Sequence, residues 1–398
     1  KGAMLRTICQ ANAPLSGREI ARRSGVARGH ASRSLRELVA SGVLLGRDLP
    51  TGVVSSIAGS CRYQVELTGL ASHAGTTPMS MRKDAAAALK LDDRPAQSVS
   101  AMTRLIHQDK VDIVIGGWGS ATVLANFKVA EKAGVPYIEC GASNPRVTRG
   151  NNNQWTFANI QNDEKQCIVV SKLAIEKGHK RLAILHDRND FGKGGRDEFS
   201  KGLKQFGNLE PVVVESYQMG DKDFNAQLIK IREAKPDALG LFGTLVEAAA
   251  IAIQMKKLGM NLPIFSMAGI ANVNYIKLGG EAVEGTILAA HFNRELSPET
   301  EAWAKKYEEK FKQATVIADP NSAWMSYSAG ANCFPAAVKM AGSMDKTKVR
   351  DALRKIRWRD YGQGIDNYFD AEHAVVKETI IVQVKGGEFK PLVKIFVK

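Results

Sequence analysis

Hydrophobic residues in much of this chain alternate between short continuous runs and runs with helical spacing. The stretch 111–145 shows the pattern best. Its apolar runs 111–115 and 137–140 are typical of strands buried on both faces of a parallel sheet. Between them, a helix is predicted to begin near Ser120 and to end near Gly134. One face of that helix carries the apolar residues Val123, Leu124, Phe127 and Ala130.

The same alternation continues along the chain. An amphipathic helix is predicted over 96–108, and further helices over 195–206, 225–234 and 245–258. Further strands are predicted at 182–185, 212–215, 238–242 and 264–266. Repeated strand–helix units with glycine-rich loops at the strand ends predict an α/β fold with two doubly wound parallel-sheet lobes.

Two neighbouring strands are followed by small, hydroxyl-bearing turns. Ser120 follows the first strand, and the run 141–145, Gly-Ala-Ser-Asn-Pro, follows the second. Ligands of open α/β sheets bind outside the carboxyl ends of such strands. We expect Ser120 to be a helix N-cap whose free amides face an anion. The alternative, that these glycines only make tight turns, explains Gly134 but not two successive serine-bearing strand ends.

Composition narrows the class of protein. A chain of 398 residues with 44% hydrophobic content predicts two or three domains. We find no apolar run near the roughly 20 residues that span a bilayer, and no signal segment at the start. The five cysteines are odd in number and never form a CxxC pair, and the seven histidines are scattered. These features predict buried thiols, no metal site and no cofactor.

The net charge of +14 is uneven, because residues 1–60 hold nine Lys and Arg against three Asp and Glu. Three helices are predicted over 4–45, with a glycine corner at 24–26. The third helix sets polar and basic residues on one face: Arg28, His30, Ser32, Arg33 and Arg36. The run 16–45 resembles the winged helix-turn-helix of bacterial regulators, with 46–52 as wing tip, and this implies DNA binding in the major groove. The alternative is a small helical bundle with a basic face.

The sequence changes character over residues 62–90, within the predicted segment 56–90. The run 63–67 alternates like a strand, and 69–85 resembles the dimerisation motif of N-carbamoyl-amino-acid hydrolases. That resemblance implies that His73 would reach a neighbouring subunit's site and polarise the substrate carbonyl. Such enzymes need two metals held by His, Asp and Glu ligands, and no ligand-spaced cluster is found. We therefore expect no enzymatic activity.

From residue 91 onward the chain resembles the type I periplasmic solute-binding proteins of the branched-chain amino-acid class, which serve ATP-driven importers. Four ordered motifs carry the resemblance: Asp-Lys-Val-Asp-Ile-Val-Ile-Gly-Gly before Ser120, Gly-Ala-Ser-Asn-Pro at 141–145, His-Asp-Arg-Asn-Asp-Phe-Gly at 186–192, and Tyr-Phe-Asp at 368–370 with Val-Gln-Val-Lys-Gly-Gly at 382–387. The resemblance implies two lobes joined by crossings near 157–161, 283–289 and 364–370.

The resulting domain prediction has three parts. Residues 1–55 form the helix-turn-helix-like module, 56–90 the hydrolase-like segment, and 91–398 the solute-binding domain. Within that domain, lobe 1 is expected to comprise about 91–160 and 286–365. Lobe 2 is expected to comprise about 161–285 and 366–398.

The family resemblance also implies a site. Ser120 and Ser143, with the backbone of Gly141 and Ala142, would hold a ligand carboxylate from the first lobe. The second lobe would face it with Phe191, Thr244, Ala268 and Gly269, and Trp118 would flank the ligand tail. Relatives that bind amino acids place an acid at the Ala268 position to hold the ammonium group. A carboxylate with an apolar or aromatic tail therefore fits as well as an amino acid.

The chain departs from the family in its first lobe. That lobe should open with a strand, a long helix and a second strand, and the sequence before residue 91 lacks this pattern. The runs 63–67 and 79–89 are the candidates to replace one strand and one helix.

We interpret the chain as a non-enzymatic receptor that closes on a small carboxylate or amino-acid-like solute. It would deliver the solute to the membrane subunits of an ABC transporter, in a periplasmic or extracytoplasmic location. The alternative is a cytoplasmic one-component transcriptional regulator with a DNA-binding N-terminus and the same receptor as sensor. The compartment distinguishes the two.

Overall fold

A computed structural model describes residues 52–58, 62–68, 95–149, 153–310, 324–325, 327–360 and 365–396. The predicted helix-turn-helix lies outside the described residues, with its candidate DNA contacts Arg28, His30, Ser32, Arg33 and Arg36. His73 and the predicted helix at 79–89 also lie outside them.

The strands are β1 (Gly52–Ala58), β2 (Arg62–Thr68), β3 (Val114–Gly116), β4 (Tyr137–Glu139), β5 (Thr156–Ala158), β6 (Leu182–Asp187), β7 (Val213–Tyr217), β8 (Ala238–Phe242), β9 (Ile264–Ser266), β10 (Ile287–Ala290), β11 (Arg357–Asp360), β12 (Ile365–Phe369), β13 (Val375–Val376), β14 (Glu378–Lys385) and β15 (Glu388–Phe396). The helices are α1 (Pro95–His107), α2 (Ser120–Ala133), α3 (Asp163–Glu176), α4 (Asp190–Gly207), α5 (Asn225–Glu233), α6 (Leu245–Lys257), α7 (Val273–Gly279), α8 (Pro298–Lys310), α9 (Phe334–Ala341) and α10 (Lys346–Leu353). A π-helical segment, Ser328–Cys333, precedes α9.

The first lobe is built on the parallel sheet β3-β4-β5. Its core forms where the apolar face of α2 meets the sheet and α1, and Met102, Val123 and Tyr137 are fully buried there. The helix α2 ends as predicted at Gly134, whose φ of 61° is a left-handed conformation that glycine adopts without strain. The predicted β-α-β unit is therefore confirmed, with shorter strands.

The second lobe contains the seven-stranded sheet β15-β14-β10-β9-β8-β6-β7. Strands β10, β9, β8, β6 and β7 are parallel, and β14 and β15 add antiparallel pairs. Alternate residues of β6 enter opposite cores, since Leu185 packs with one cluster and Ile184 with the other. Helices cover both faces of this sheet, which explains why its inner strands β8 and β10 are continuously apolar and buried.

The crossings between the lobes lie partly at other positions than predicted. The first runs over 159–162, close to the prediction. The second follows β10, which belongs to the second sheet, and the third separates β13 from β14. The boundaries expected near 286 and 366 thus move to about 291 and 377. The cause is packing: Phe369 of β12 contacts Phe157 of β5, with ring centroids 5.1 Å apart.

The N-terminal hairpin is separate from the first lobe's sheet. The strand predicted at 63–67 exists as part of β2, but β2 pairs antiparallel with β1 in a two-stranded sheet. The expectation that it replaces a strand of the first lobe is therefore wrong. Within the described residues, no helix combines the length and apolar character that a membrane span requires.

Candidate ligand-binding site between the lobes

The turn after β3 places Ser120 at the cleft. The helix α2 begins at Ser120, and its N-cap is Gly119 with φ 84°, so the prediction of Ser120 as N-cap is wrong by one residue. Ser120 is 1% exposed, and its hydroxyl accepts a hydrogen bond from the amide of Asn144 over 3.2 Å. The first amides of a helix have no partner within it, and those of α2 point out of its N-terminal end. Ser120 thus joins an anion-favouring helix end to the neighbouring loop.

The loop after β4 is shaped by Glu139. This side chain is fully buried, and its Oε2 accepts hydrogen bonds from the amides of Gly141 (2.8 Å) and Ala142 (2.6 Å). The Gly141 carbonyl in turn accepts from the amide of Gly119 over 2.9 Å. We expected the backbone of Gly141 and Ala142 to face the ligand. Both amides already donate hydrogen bonds to Glu139. Both residues form the turn that presents Ser143.

Trp118 covers this turn. A Cβ atom on Gly141 would lie 2.6 Å from Cε3 of the indole ring, so only glycine allows the two segments to approach this closely. Trp118 is partly buried and packs against a cluster that includes Phe292 and Trp324. It therefore lies on the first-lobe wall at the end nearest the crossings.

The second-lobe residues named from the sequence come together around Gly269. A Cβ atom there would lie 2.6 Å from two ring atoms of Phe191 and 2.7 Å from the Gly243 carbonyl. Thr244 follows directly, but its hydroxyl donates to Glu247 over 2.9 Å. The Ala268 amide donates to Gln166 over 3.0 Å. This wall consequently presents an aromatic ring and small residues.

Asp163, which the sequence analysis did not single out, lies between the Ser143 loop and α4. It is fully buried at the start of α3, and its amide donates to the Ser143 carbonyl over 2.6 Å. Apart from an interaction with the Ser143 side chain, its two oxygens find no donor in the described part of the chain. Burial raises its pKa to about 8, although Ser143 lowers it. Any side chain on Gly194 of α4 would overlap an Asp163 oxygen.

The two lobes also touch directly beside Asp163. The Asn144 side-chain amide donates to the carbonyl of Asp190 over 2.8 Å, and the Arg146 guanidinium lies 3.7 Å from the Asp190 carboxylate. These contacts join the loop after β4 to the first turn of α4. Among the described residues, no group of three or more His, Cys, Asp or Glu side chains is arranged to hold a metal ion.

Two parallel-sheet lobes, three crossings and a polar turn at the cleft define the class of two-lobed solute receptors. Residues 92–388 match the family model described as periplasmic binding protein, and the chain belongs to this family. The family is one of binding proteins, in agreement with the expectation of binding without catalysis.

Similar proteins include a Leu/Ile/Val-binding protein homolog 2 from Brucella abortus, 30% identical over 263 residues, which cover 66% of this chain and 68% of that protein. A leucine-binding protein from Thermotoga maritima has a similar structure, with a TM-score of 0.69, 27% identity and coverage of 77% of this chain and 86% of that one. A solute-binding protein of an ABC transporter from R. palustris, solved with benzoate, shares the fold with a TM-score of 0.68, 21% identity and coverage of 75% and 82%.

Proposed function

We propose that this protein is an extracytoplasmic receptor that binds an α-amino acid with an apolar side chain in the cleft and delivers it to an ABC transporter. The observation that carries this proposal is Asp163, a buried carboxyl group beside Ser143 with no cationic partner among the described residues. The names of similar proteins from Brucella abortus and Thermotoga maritima, which bind leucine or Leu/Ile/Val, support it.

The ligand carboxylate would meet the first lobe. The hydroxyls of Ser120 and Ser143 lie on adjacent turns, which the hydrogen bond from the Asn144 amide to Ser120 holds together. The N-terminus of α2 adds the positive end of a helix dipole. This arrangement holds an anion without a lysine or arginine side chain.

The ligand ammonium group would meet Asp163. A buried carboxyl without a countercharge favours its protonated form, and burial raises the pKa of Asp163 to about 8. A cation at hydrogen-bond distance reverses this preference, because the ion pair and its hydrogen bonds offset the cost of burial. Asp163 would therefore be the acid that holds the ammonium group, a role that Ala268 cannot perform.

The ligand side chain would lie against the second lobe. Phe191, Gly269 and Ala268 offer an apolar and mostly small wall, and the Thr244 hydroxyl is held by Glu247. Trp118 would close the pocket on the first-lobe side. An apolar side chain fits this wall better than a charged one, since the wall offers it no countercharge.

A second candidate ligand is an aromatic carboxylate. Ala268, at the position where an acid was expected, and the rings of Phe191 and Trp118 favour it, and a protein with the same fold was solved with benzoate. This ligand has no ammonium group and leaves Asp163 without a partner. Asp163 therefore separates the two candidates.

The test is calorimetry of L-leucine and of benzoate with the full chain and with Asp163→Asn. The variant should lose at least about a hundredfold in leucine affinity, in line with loss of a buried ion pair of 3–5 kcal/mol. Its benzoate affinity should stay or rise. Glu176→Gln, an exposed change on the same helix, is the control and should alter neither. Unchanged leucine binding in Asp163→Asn would contradict the amino-acid proposal.

A further inference from the structure

A buried lysine lies where the crossings between the lobes meet. Lys377 precedes β14 on the third crossing and is 2% exposed. Its carbonyl accepts a hydrogen bond from the Gln161 side chain of the first crossing over 2.7 Å. Its ammonium nitrogen lies 4.4 Å from the centre of the Trp324 ring and has no hydrogen-bond partner among the described residues. An isolated buried ammonium is costly, so its surroundings matter.

Three ionisable groups face Lys377 from the elements packed around it. Burial lowers the pKa of the lysine to about 8, whereas Asp360 of β11 and, to a smaller extent, Glu139 of β4 raise it. His291 faces it from the second crossing, and burial together with Lys377 lowers the pKa of that histidine. Asp360 already accepts hydrogen bonds from Trp324, over 3.2 Å, and from Ser328, over 2.6 Å. Glu139 is held mainly by backbone amides, because those of Ala142, Gly141 and Ile160 lower its pKa and Lys377 adds a smaller effect in the same direction.

One oxygen of Glu139 holds the ligand loop. It accepts from the amides of Gly141 and Ala142, and these are the residues that present Ser143. Bonds from amides to a carboxylate are short and strong when charge assists them, and 2.6 and 2.8 Å are short. Without this acceptor, both amides would be buried without a partner and the loop would rearrange.

We propose that Glu139 is a positioning residue of the binding site, aiming Ser143 through the amides of Gly141 and Ala142, and that Lys377 on the third crossing is the buried cation that favours its ionised form. This inference rests on the proposed function for its ligand. It makes the geometry of the loop depend on one buried carboxyl group of the first lobe.

The first test needs no ligand. Hydrogen–deuterium exchange is followed on the peptide that contains residues 140–146, in the full chain and in Glu139→Gln. The pH is kept above 8, where the carboxyl of Glu139, whose pKa burial raises to about 8, is ionised. The Gly141 and Ala142 amides should exchange at least about tenfold faster in the variant, because a neutral amide oxygen is a weaker acceptor than a carboxylate. Unchanged exchange at these two amides would overturn the positioning role, whether or not any solute binds.

A matched control exists in the same lobe. Glu131 of α2 also accepts from backbone amides, those of Gln154 (2.9 Å) and Trp155 (2.7 Å), at the opposite end of the sheet. Glu131→Gln should loosen residues 154–156 and leave L-leucine affinity unchanged. Glu139→Gln should instead weaken L-leucine binding about tenfold. Equal losses of affinity in both variants would reduce Glu139 to a general structural role and overturn the proposal.

Lys377→Met tests the countercharge, and it also applies if Glu139→Gln fails to fold. Burial raises the pKa of Glu139 to about 8, and three backbone amides and then Lys377 lower it, so the variant should move the carboxyl's titration upward by a modest amount. Protection of the Gly141 and Ala142 amides should then appear only at higher pH than in the parent chain. The double variant Glu139→Gln/Lys377→Met should lose this pH dependence. An unshifted profile in Lys377→Met would remove Lys377 from the proposal.

Discussion

The two walls of the cleft differ in how their polar atoms are used. On the first lobe, hydrogen bonds hold the turns of Ser120 and Ser143 in place. The Ser120 hydroxyl accepts from the Asn144 amide and keeps its own proton to donate, and the Ser143 hydroxyl interacts with Asp163. On the second lobe, the polar atoms nearest the cleft are already engaged, since Thr244 donates to Glu247 and the Ala268 amide donates to Gln166. What remains exposed to a ligand there is the ring of Phe191 beside small residues.

This difference separates two tasks. A fixed, polar wall suits the part of the ligand that every member of a solute class shares, which in our proposal is the carboxylate. An apolar wall with a single large ring suits the part that varies. Changes on the first wall should therefore alter affinity for all carboxylates, and changes on the second should alter the choice among them.

Of the changes on the two walls, those on the first wall should have the largest effect. Ser120→Ala and Ser143→Ala should each weaken binding of L-leucine and of benzoate by roughly ten- to a hundredfold, since a lost charge-assisted hydrogen bond costs about 1.5–3 kcal/mol. Calorimetry measures both. Thr244→Ala, the matched removal of a hydroxyl on the second wall, should leave both affinities within about threefold. Full affinity in both serine variants would contradict the two-wall assignment.

The next effect is a pH dependence that distinguishes the ligands. An amino acid requires the ionised form of Asp163, whose pKa burial raises to about 8. Because of this raised pKa, the Asp163 carboxyl is protonated at neutral pH when the site is empty. Binding of the ligand ammonium group then displaces that proton. Below pH 8 the ratio of leucine to benzoate affinity should therefore rise with pH, by at most about tenfold per unit.

The ratio is the useful quantity because any titration at Glu139 acts on the loop and affects both ligands alike. In Asp163→Asn, the ratio of leucine to benzoate affinity should no longer depend on pH. A flat ratio between pH 6 and 8 in the parent chain would show that Asp163 does not meet an ammonium group.

A smaller effect should follow from the second wall. Phe191→Ala should change the leucine-to-benzoate ratio by about tenfold, in the range that one or two apolar groups contribute to selectivity. The absolute affinity for the better ligand should change less than in the serine variants. Competition between the two ligands in one titration measures the ratio directly. An equal loss for both ligands would mean that Phe191 contacts the shared part of the ligand.

The sequence predicted the positions of the two serines on the first wall, but not the hydrogen bonds that shape it. Periodicity and turn residues located Ser120 and Ser143 at neighbouring strand ends, because strand order and turn chemistry are local properties. They did not reveal that Glu139 takes the Gly141 amide, since this depends on the direction of one buried side chain. The importance of Asp163 was also hidden, because its burial arises only when the first crossing, the Ser143 loop and Gly194 converge.

The position of the crossings shows the same limit on the larger scale. Strand β12 was assigned to the second lobe from sequence order. Its place is decided by the contact of Phe369 with Phe157, two residues more than 200 positions apart. A pattern read along the chain gives no information on such a pairing.

The smallest effect should come from the exposed ion pair of Arg146 and Asp190, which links the two lobes at the rim of the cleft. The Arg146 side chain is 72% exposed and lies 3.7 Å from the Asp190 carboxylate, so water and salt screen the pair. Arg146→Gln should weaken leucine binding by less than about threefold, and 0.5 M salt should abolish even this difference. Asn144→Ala, which removes the hydrogen bond to the Asp190 carbonyl in the same contact, should cost more and resist salt. If Arg146→Gln proved the more damaging of the two, closure would be governed by charges at the rim, and the contrast between the walls would lose its role in affinity.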